Sequence, residues 1–539
     1  MSGRVVVVGA GIAGLTTAAL LARGGARVTL LEQHDGVGGR AGLLELDGFR
    51  FDTGPSWYFM PEVFTHAFAL LGERIEDHVD LVRLDPAYRL FPEPSGGHAP
   101  LDVVQDPEVN WATFEALEPG AGSAMRRYAQ DSTQAYRDAL DSFLYTTFAR
   151  PHRLVTRDVV RRSRTLAGLL THTLAEHVAG AVDHPVLQQV LGYPAVFLGS
   201  SPYRVPALYS LMSHLDLVDG VRFPRGGMYT VIEALQRIAI REGVRIRTGA
   251  AVASIEVEPM SASLVHPRRS GTARGVRLST GELVPADIVV SAADRHHTES
   301  ALLDASYSDL PPETWDTKGP GISALIIVAG VRGALPELAH HSLFFTRDWP
   351  ANFEDILGTD RASTTSRVPE VASLYVSRTT ATDPTAAPAG HENLFVLVPF
   401  PADPTLTDLD RHADRYLDQI GDWAGVPDLR ERVVVRSVRG PADFARDFHA
   451  WRGTALGMEH TLRQSAMFRP GDASARVPNL LHAGGGTIPG VGLPMCLISA
   501  ELVVKRMLGE TSARPLPEPL RPGFLASARP GGVWSAVHR

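Results

Sequence analysis

The chain has 539 residues, of which 44% are hydrophobic and 21% charged, with a formal net charge of −8 and a single cysteine, Cys496. That length is too great for one compact core and predicts about three domains. The acidic balance gives no general reason to bind nucleic acid or an anionic membrane, and one cysteine excludes an internal disulfide or a multi-cysteine metal centre while fitting a reducing compartment.

The first predicted element is a strand over 5–8, a β-branched run suited to burial on both faces. Gly9, Gly11 and Gly14 follow in G-x-G-x-x-G spacing, then a helix over 15–23 and a second strand over 28–31 that ends in Glu32. The same glycines interrupt the apolar run behind Arg4 and argue against a secretory signal, so a cytoplasmic location is expected. The pattern is a βαβ dinucleotide-binding unit. Gly9 permits the tight turn, Gly11 lets a pyrophosphate approach the backbone, and Gly14 lets helix and strand pack closely. Glu32 is placed to accept hydrogen bonds from a ribose hydroxyl and disfavours the extra phosphate of NADP.

A second glycine turn, Gly38-Gly39, lies just beyond that strand with Arg40, a candidate to meet phosphates or a flavin edge. The series GxGxxG, Glu, GG-Arg resembles the flavoprotein superfamily that includes amine oxidases and carotenoid desaturases. The segment "DTGPS", with Gly54, Pro55 and Ser56, is similar to the desaturase branch, where this turn lies beside the isoalloxazine. The resemblance implies FAD as cofactor.

Residues 85–224 read mostly helical, including long stretches over 124–148 and 161–182. α/β character returns at Gly226-Gly227 with a helix and two strands. In the superfamily the second strand touches the adenine end of the cofactor, which here implies Val252. A buried strand over 288–292 follows, and strand-like runs separated by Pro-rich loops fill 300–465. Beyond 510 the composition is rich in Pro, Gly and Arg and reads as a poorly ordered tail.

Between Arg476 and Glu501 the only ionisable side chains are His482 and Cys496. A stretch of roughly 20 uncharged residues has the length of a membrane span, but eight Gly and Pro residues rule out one continuous helix facing lipid. A short buried strand over 479–483 is expected, then a glycine loop close to a flat ligand, then a helix with Pro494 in its first turn. Such a helix start favours the negative charge that a flavin gains at its pyrimidine end on reduction. The loop, with Gly484, Gly485, Gly492, Leu493 and Pro494, is similar to the C-terminal signature of bacterial phytoene-desaturase-type enzymes, although Ile488 stands where those proteins usually carry His.

The resemblance implies an α/β fold, a Rossmann-like FAD-binding domain assembled from three segments (1–84, 225–299, 470–510), with a substrate lobe inserted as helices (85–224) and a mixed sheet (300–469); the composition adds a flexible tail (511–539). The resemblance implies an FAD-dependent carotenoid desaturase acting on phytoene or a related long apolar polyene, with a quinone or oxygen as candidate electron acceptor. A later-step desaturase, a carotenoid isomerase or oxygenase, and a non-catalytic isoprenoid carrier remain as alternatives. No general base stands out, and Asp141 is a weak candidate. No metal constellation is present, and the pairs His296-His297 and His340-His341 read as loop residues. The basic amphipathic segment with Arg157, Arg161, Arg162 and Arg164 suggests peripheral docking on the inner face of the cell membrane.

Overall fold

The computed structural model describes residues 3–149, 168–260, 270–358 and 366–538. Arg157, Arg161, Arg162 and Arg164 lie outside the described residues, as do the first seven residues of the helix expected over 161–182; the rest of that span is interrupted at His172 and Thr173, where Thr173 caps a new short helix, Leu174–Ala179.

Five strands build one parallel sheet in the order Leu480–His482, Ile288–Ser291, Arg4–Val8, Arg27–Leu31, Arg245–Arg247. Its members thus come from three separated parts of the chain. The valine run at its centre feeds two cores, because successive strand side chains point to opposite faces. Val5 and Val7 pack with helices Ile12–Arg23, Tyr229–Arg241 and Leu493–Leu508. Val6 and Val8 pack with a three-stranded antiparallel sheet (Val252–Pro259, Gly271–Leu278, Leu283–Pro285) through Ile255, Val276 and Val284.

A second, seven-stranded sheet runs Val433–Arg439, Ser323–Arg332, His391–Phe400, Leu374–Ser377, His341–Phe345, Tyr88–Pro92, Leu101–Val103. Only the pairing of His341–Phe345 with Tyr88–Pro92 is parallel, so the sheet is mixed. Helix Leu409–Ala424 covers one face through Ala413, Tyr416, Leu417 and Ile420. On the other face, Ala324, Ile326, Leu343, Phe345, Tyr375 and Leu397 line a cavity shared with the parallel sheet.

Four expectations need correction. The segment read as helical from residue 85 supplies the last two strands of the mixed sheet, short elements (five and three residues) whose pattern is too brief to register. The long helix is Ala121–Ala139 continued by a π turn, Leu140–Leu144, after which Tyr145, Thr146 and Thr147 turn into the interior. His341 belongs to a strand and both it and His340 are buried, while His296 and His297 form a helical turn. The tail is packed: Leu516, Leu520, Leu525 and Trp534 are buried in the main core, and residues Phe524–Ser527 and Val533–Val537 are helical. Pro and Gly restrict regular structure without preventing apolar side chains between them from docking.

Candidate active site

The first glycine turn is held by hydrogen bonds that fix its path. The Gly9 N–H donates to the Leu31 carbonyl (2.8 Å) and the Gly38 N–H to the Ala10 carbonyl (2.9 Å), so the two turns lie against each other. Glu32 is buried; its carboxylate accepts from the Ala10 N–H (2.8 Å) and the His34 N–H (3.0 Å) while facing the cavity. A Cβ on Gly14 would lie 1.9 Å from the Gly9 oxygen, so this glycine serves packing. A Cβ on Gly11 would meet nothing nearer than 3.8 Å, and its side of the turn opens to the cavity.

Gly38 and Gly39 have φ of +118° and +56° and bring Arg40 to the rim. Arg40 Nε and Nη2 are buried without a hydrogen-bond partner; the Asp294 carboxylate is 3.7 Å from Nη2, and the Phe448 ring lies 5.6 Å from the guanidinium carbon. Gly54 passes so close under this loop that a Cβ would lie 2.0 Å from the Arg40 oxygen. Asp52 anchors the same turn by accepting from the Met228 (2.8 Å) and Tyr229 (3.0 Å) N–H groups, and burial pushes its carboxyl up to about 6.

Opposite, the Gly484 N–H donates to Ser499 Oγ (3.0 Å), and the chain crosses the cavity wall to helix Leu493–Leu508. No side chain caps that helix, so its first N–H groups face the cavity without an internal partner. A glycine cradle, an uncapped helix start and the part-exposed Arg40 guanidinium, with Asp294 3.7 Å away, converge on one space, and together they fit an anionic dinucleotide.

The space continues into an apolar half walled by Trp57, Phe59, Tyr193, Phe197, Phe345 and Trp349, giving one cavity of about 580 Å³. At the junction the Tyr375 hydroxyl donates to Ser56 Oγ (2.8 Å) and lies 2.7 Å from His341 Nδ1. The His341 ring stacks on Trp57 at 4.3 Å and 9°, and burial holds it neutral, well below the usual histidine range. Behind Tyr193, the buried Asp216 accepts from the Tyr193 (2.8 Å) and Tyr88 (3.2 Å) hydroxyls, and burial raises its carboxyl to about 7.

The family of flavin-containing amine oxidoreductases matches residues 12–508. The chain belongs to that family. It is 40% identical to a carotenoid 3,4-desaturase of Haloarcula japonica over 94% of this chain and 98% of the relative, and 35% identical to a zeta-carotene-forming phytoene desaturase of Myxococcus xanthus over 94% of each. Among solved structures, an oxidoreductase from Methanosarcina mazei superposes with a TM-score of 0.61 at 17% identity (93% of this chain, 100% of that one). A putrescine oxidase does so with 0.58 at 16% (100% of both). These two share the fold.

In this flavin-dependent oxidoreductase the sequence-predicted residues Gly9, Gly11, Glu32, Gly38, Gly39, Arg40, Gly54, Pro55, Ser56, Val252, Gly484, Gly485, Gly492, Leu493 and Pro494 all line the one cavity, with Gly14 directly behind it. Asp141 does not: it is exposed on the π turn and absent from the lining. Sequence reasoning missed Tyr375, His341 and Asp216. They lie in a strand, a strand and a short helix far apart in the chain, and no local spacing marks them. Among the described residues no cluster of His, Cys, Asp or Glu could hold a metal ion, and no helix is long and apolar enough to cross a membrane.

Proposed function

We propose that this chain is an FAD-dependent carotenoid desaturase that removes two hydrogens from phytoene or a more desaturated polyene. The observation that carries the reading is the continuity of the cavity: the dinucleotide cradle opens directly into an apolar, aromatic-walled space with no intervening barrier. The names and identities of the relatives support the same substrate class. FAD, when bound, supplies the hydride acceptor.

The chain's residues do the rest. The two glycine turns and Glu32 would hold the dinucleotide, and the uncapped helix start at Leu493 would stabilise negative charge gathering on its ring. The apolar half excludes water and holds the polyene in line. No carboxylate lines that half among the described residues, so positive charge developing on the substrate spreads along its double bonds and meets the faces of Trp57, Tyr193 and Phe197. The Ser56–Tyr375–His341 chain supplies the polar groups nearest the junction and is the candidate route for the proton lost from the neighbouring carbon.

Arginine-rich residues 150–164 support docking on the inner face of the cell membrane, from which such a substrate is drawn, and a quinone or oxygen would reoxidise the cofactor. The identity of the 3,4-desaturase relative favours a later carotenoid as a second reading. The test is incubation of the FAD-loaded protein with phytoene, and in parallel with a more desaturated carotenoid, in liposomes. Red-shifted products from phytoene establish the first reading, and from the later carotenoid alone the second. Bound FAD with neither product overturns both, and failure to bind FAD leaves an isoprenoid carrier.

A further inference from the structure

Arg469 is 3% exposed, and its guanidinium bonds only to main-chain oxygens: Nε to Thr487 (3.2 Å), Nη1 to Gln464 (3.3 Å) and Nη2 to Gly485 (2.7 Å). Among the described residues no carboxylate pairs with it. The other buried arginine of this region, Arg295, has Glu299 at 2.8 Å. A cation taken out of water without a counter-ion is strongly unfavourable, and protein interiors rarely hold one without a compensating charge. The surroundings of Arg469 do not compensate. His460 is buried and kept neutral, Lys318 has the same sign, and the Cys496 thiol is pushed up to about 11 and is uncharged.

The position of the charge shows what would compensate it. Gly485, whose carbonyl holds Nη2, lines the cavity with Gly484, Gly486 and the first turn of the uncapped helix, Leu493 to Cys496. Arg40 lines the same cavity, whereas Arg469 stands behind its wall and reaches it through the Gly485 carbonyl.

We propose that Arg469 is a positioning residue that sets the reduction potential of the flavin: from behind the 484–487 loop its uncompensated charge favours the ring state that carries negative charge, its bonds to Gly485 and Thr487 hold the loop, and its bond to Gln464 ties that loop to the preceding segment. This rests on the flavin reading given above. An arginine that served the loop as scaffold alone would affect folding and cofactor retention but not the potential.

The test uses the FAD-loaded protein and two readouts besides turnover: the midpoint potential of the bound flavin, and the affinity for sulfite. Sulfite donates its lone pair to form a bond to the flavin N5 and leaves the ring negatively charged, so its affinity reports the local field without substrate. Arg469→Gln is expected to move the potential negative and weaken sulfite binding by about tenfold or more, while Arg469→Lys, which keeps the charge, stays within about threefold. An Arg469→Gln protein that retains FAD with potential and sulfite affinity unchanged overturns the proposal. If Arg469→Gln does not fold, Arg469→Lys decides: retained sulfite affinity supports the charge, and a tenfold loss with FAD still bound overturns it. A wild-type protein without flavin absorbance after FAD is added overturns the functional reading and this proposal together, an outcome visible before any variant is made.

Discussion

Gly14 and Gly54 occupy positions where a methyl group has no room, since a Cβ there would stand 1.9 and 2.0 Å from backbone oxygens. Gly36, in the same region, has open space around it. Gly54→Ala is therefore expected to retain less than about a tenth of its FAD through gel filtration, read from the ratio of visible to ultraviolet absorbance, while Gly36→Ala keeps it all. Tyr375→Phe removes the hydroxyl shared by Ser56 and His341 and leaves both buried groups short of a partner, at a cost of about 1–3 kcal/mol measured by denaturant unfolding. Asp216 carries a pH signature. Its folded carboxyl titrates near 7, above the ordinary value of 3.8, so the folded state holds the proton more tightly than the unfolded chain. The stability it contributes is complete below about pH 4 and is lost as pH rises towards 7. Asp216→Asn keeps an acceptor for Tyr193 and Tyr88 but has no proton to lose, so its thermal midpoint should fall less steeply between pH 5 and 7.5 than that of the wild type. Asp52, raised to about 6, leaves the remaining slope. The glycines were readable in the sequence because a phosphate cradle demands fixed spacing. Asp216 and Arg469 were not, because what distinguishes them is burial, which distant segments impose.

Helix Leu493–Leu508 was foreseen from Pro494 and the glycine loop, but what lies against its far end was not. Lys505 is fully buried there, and its ammonium donates to the carbonyls of Tyr145 (2.6 Å), Ser512 (3.2 Å) and Arg514, while Glu501 accepts from the Leu516 N–H (2.6 Å). The tail thus neutralises the polar groups on a buried helix and adds Leu516, Leu520, Leu525 and Trp534 to its core. Ending the chain at residue 510 would leave Lys505 and Glu501 with partners missing and open the apolar seam beneath. A large drop in thermal midpoint is expected, together with faster loss of added FAD because the same helix starts at the cavity wall; an unchanged midpoint would show the tail to be a passive cover. Composition pointed the other way because Pro and Gly advertise irregular backbone, whereas order here comes from side chains spaced between them.

At the scale of the whole molecule, the sheet, the cradle and the substrate wall share one cavity, and the cradle takes its residues from 8–56, 250–294 and 483–496. FAD at 100 times its dissociation constant should stabilise the fold by about 2.7 kcal/mol, and hydrogen exchange should slow in strands Arg4–Val8, Ile288–Ser291 and Leu480–His482 together. Slowing confined to the first would mean that the N-terminal unit binds by itself. The glycine-turn motifs, which the fold gathers on one wall of the cavity, were legible because each is local. The substrate half depends on which faces of the mixed sheet and helices oppose each other, and the alternation of the strands shows only that a face exists.

The order of strands in the parallel sheet also has a consequence for biosynthesis. Arg4–Val8 leaves the ribosome first, yet its neighbour Ile288–Ser291 is made hundreds of residues later, and Leu480–His482, with the loop and helix that complete the cavity wall, later still. A nascent chain therefore carries an exposed valine strand and a half-built phosphate cradle through most of its translation. The sheet, and the cavity wall built on its strands, can therefore close only once the last of these segments has been made.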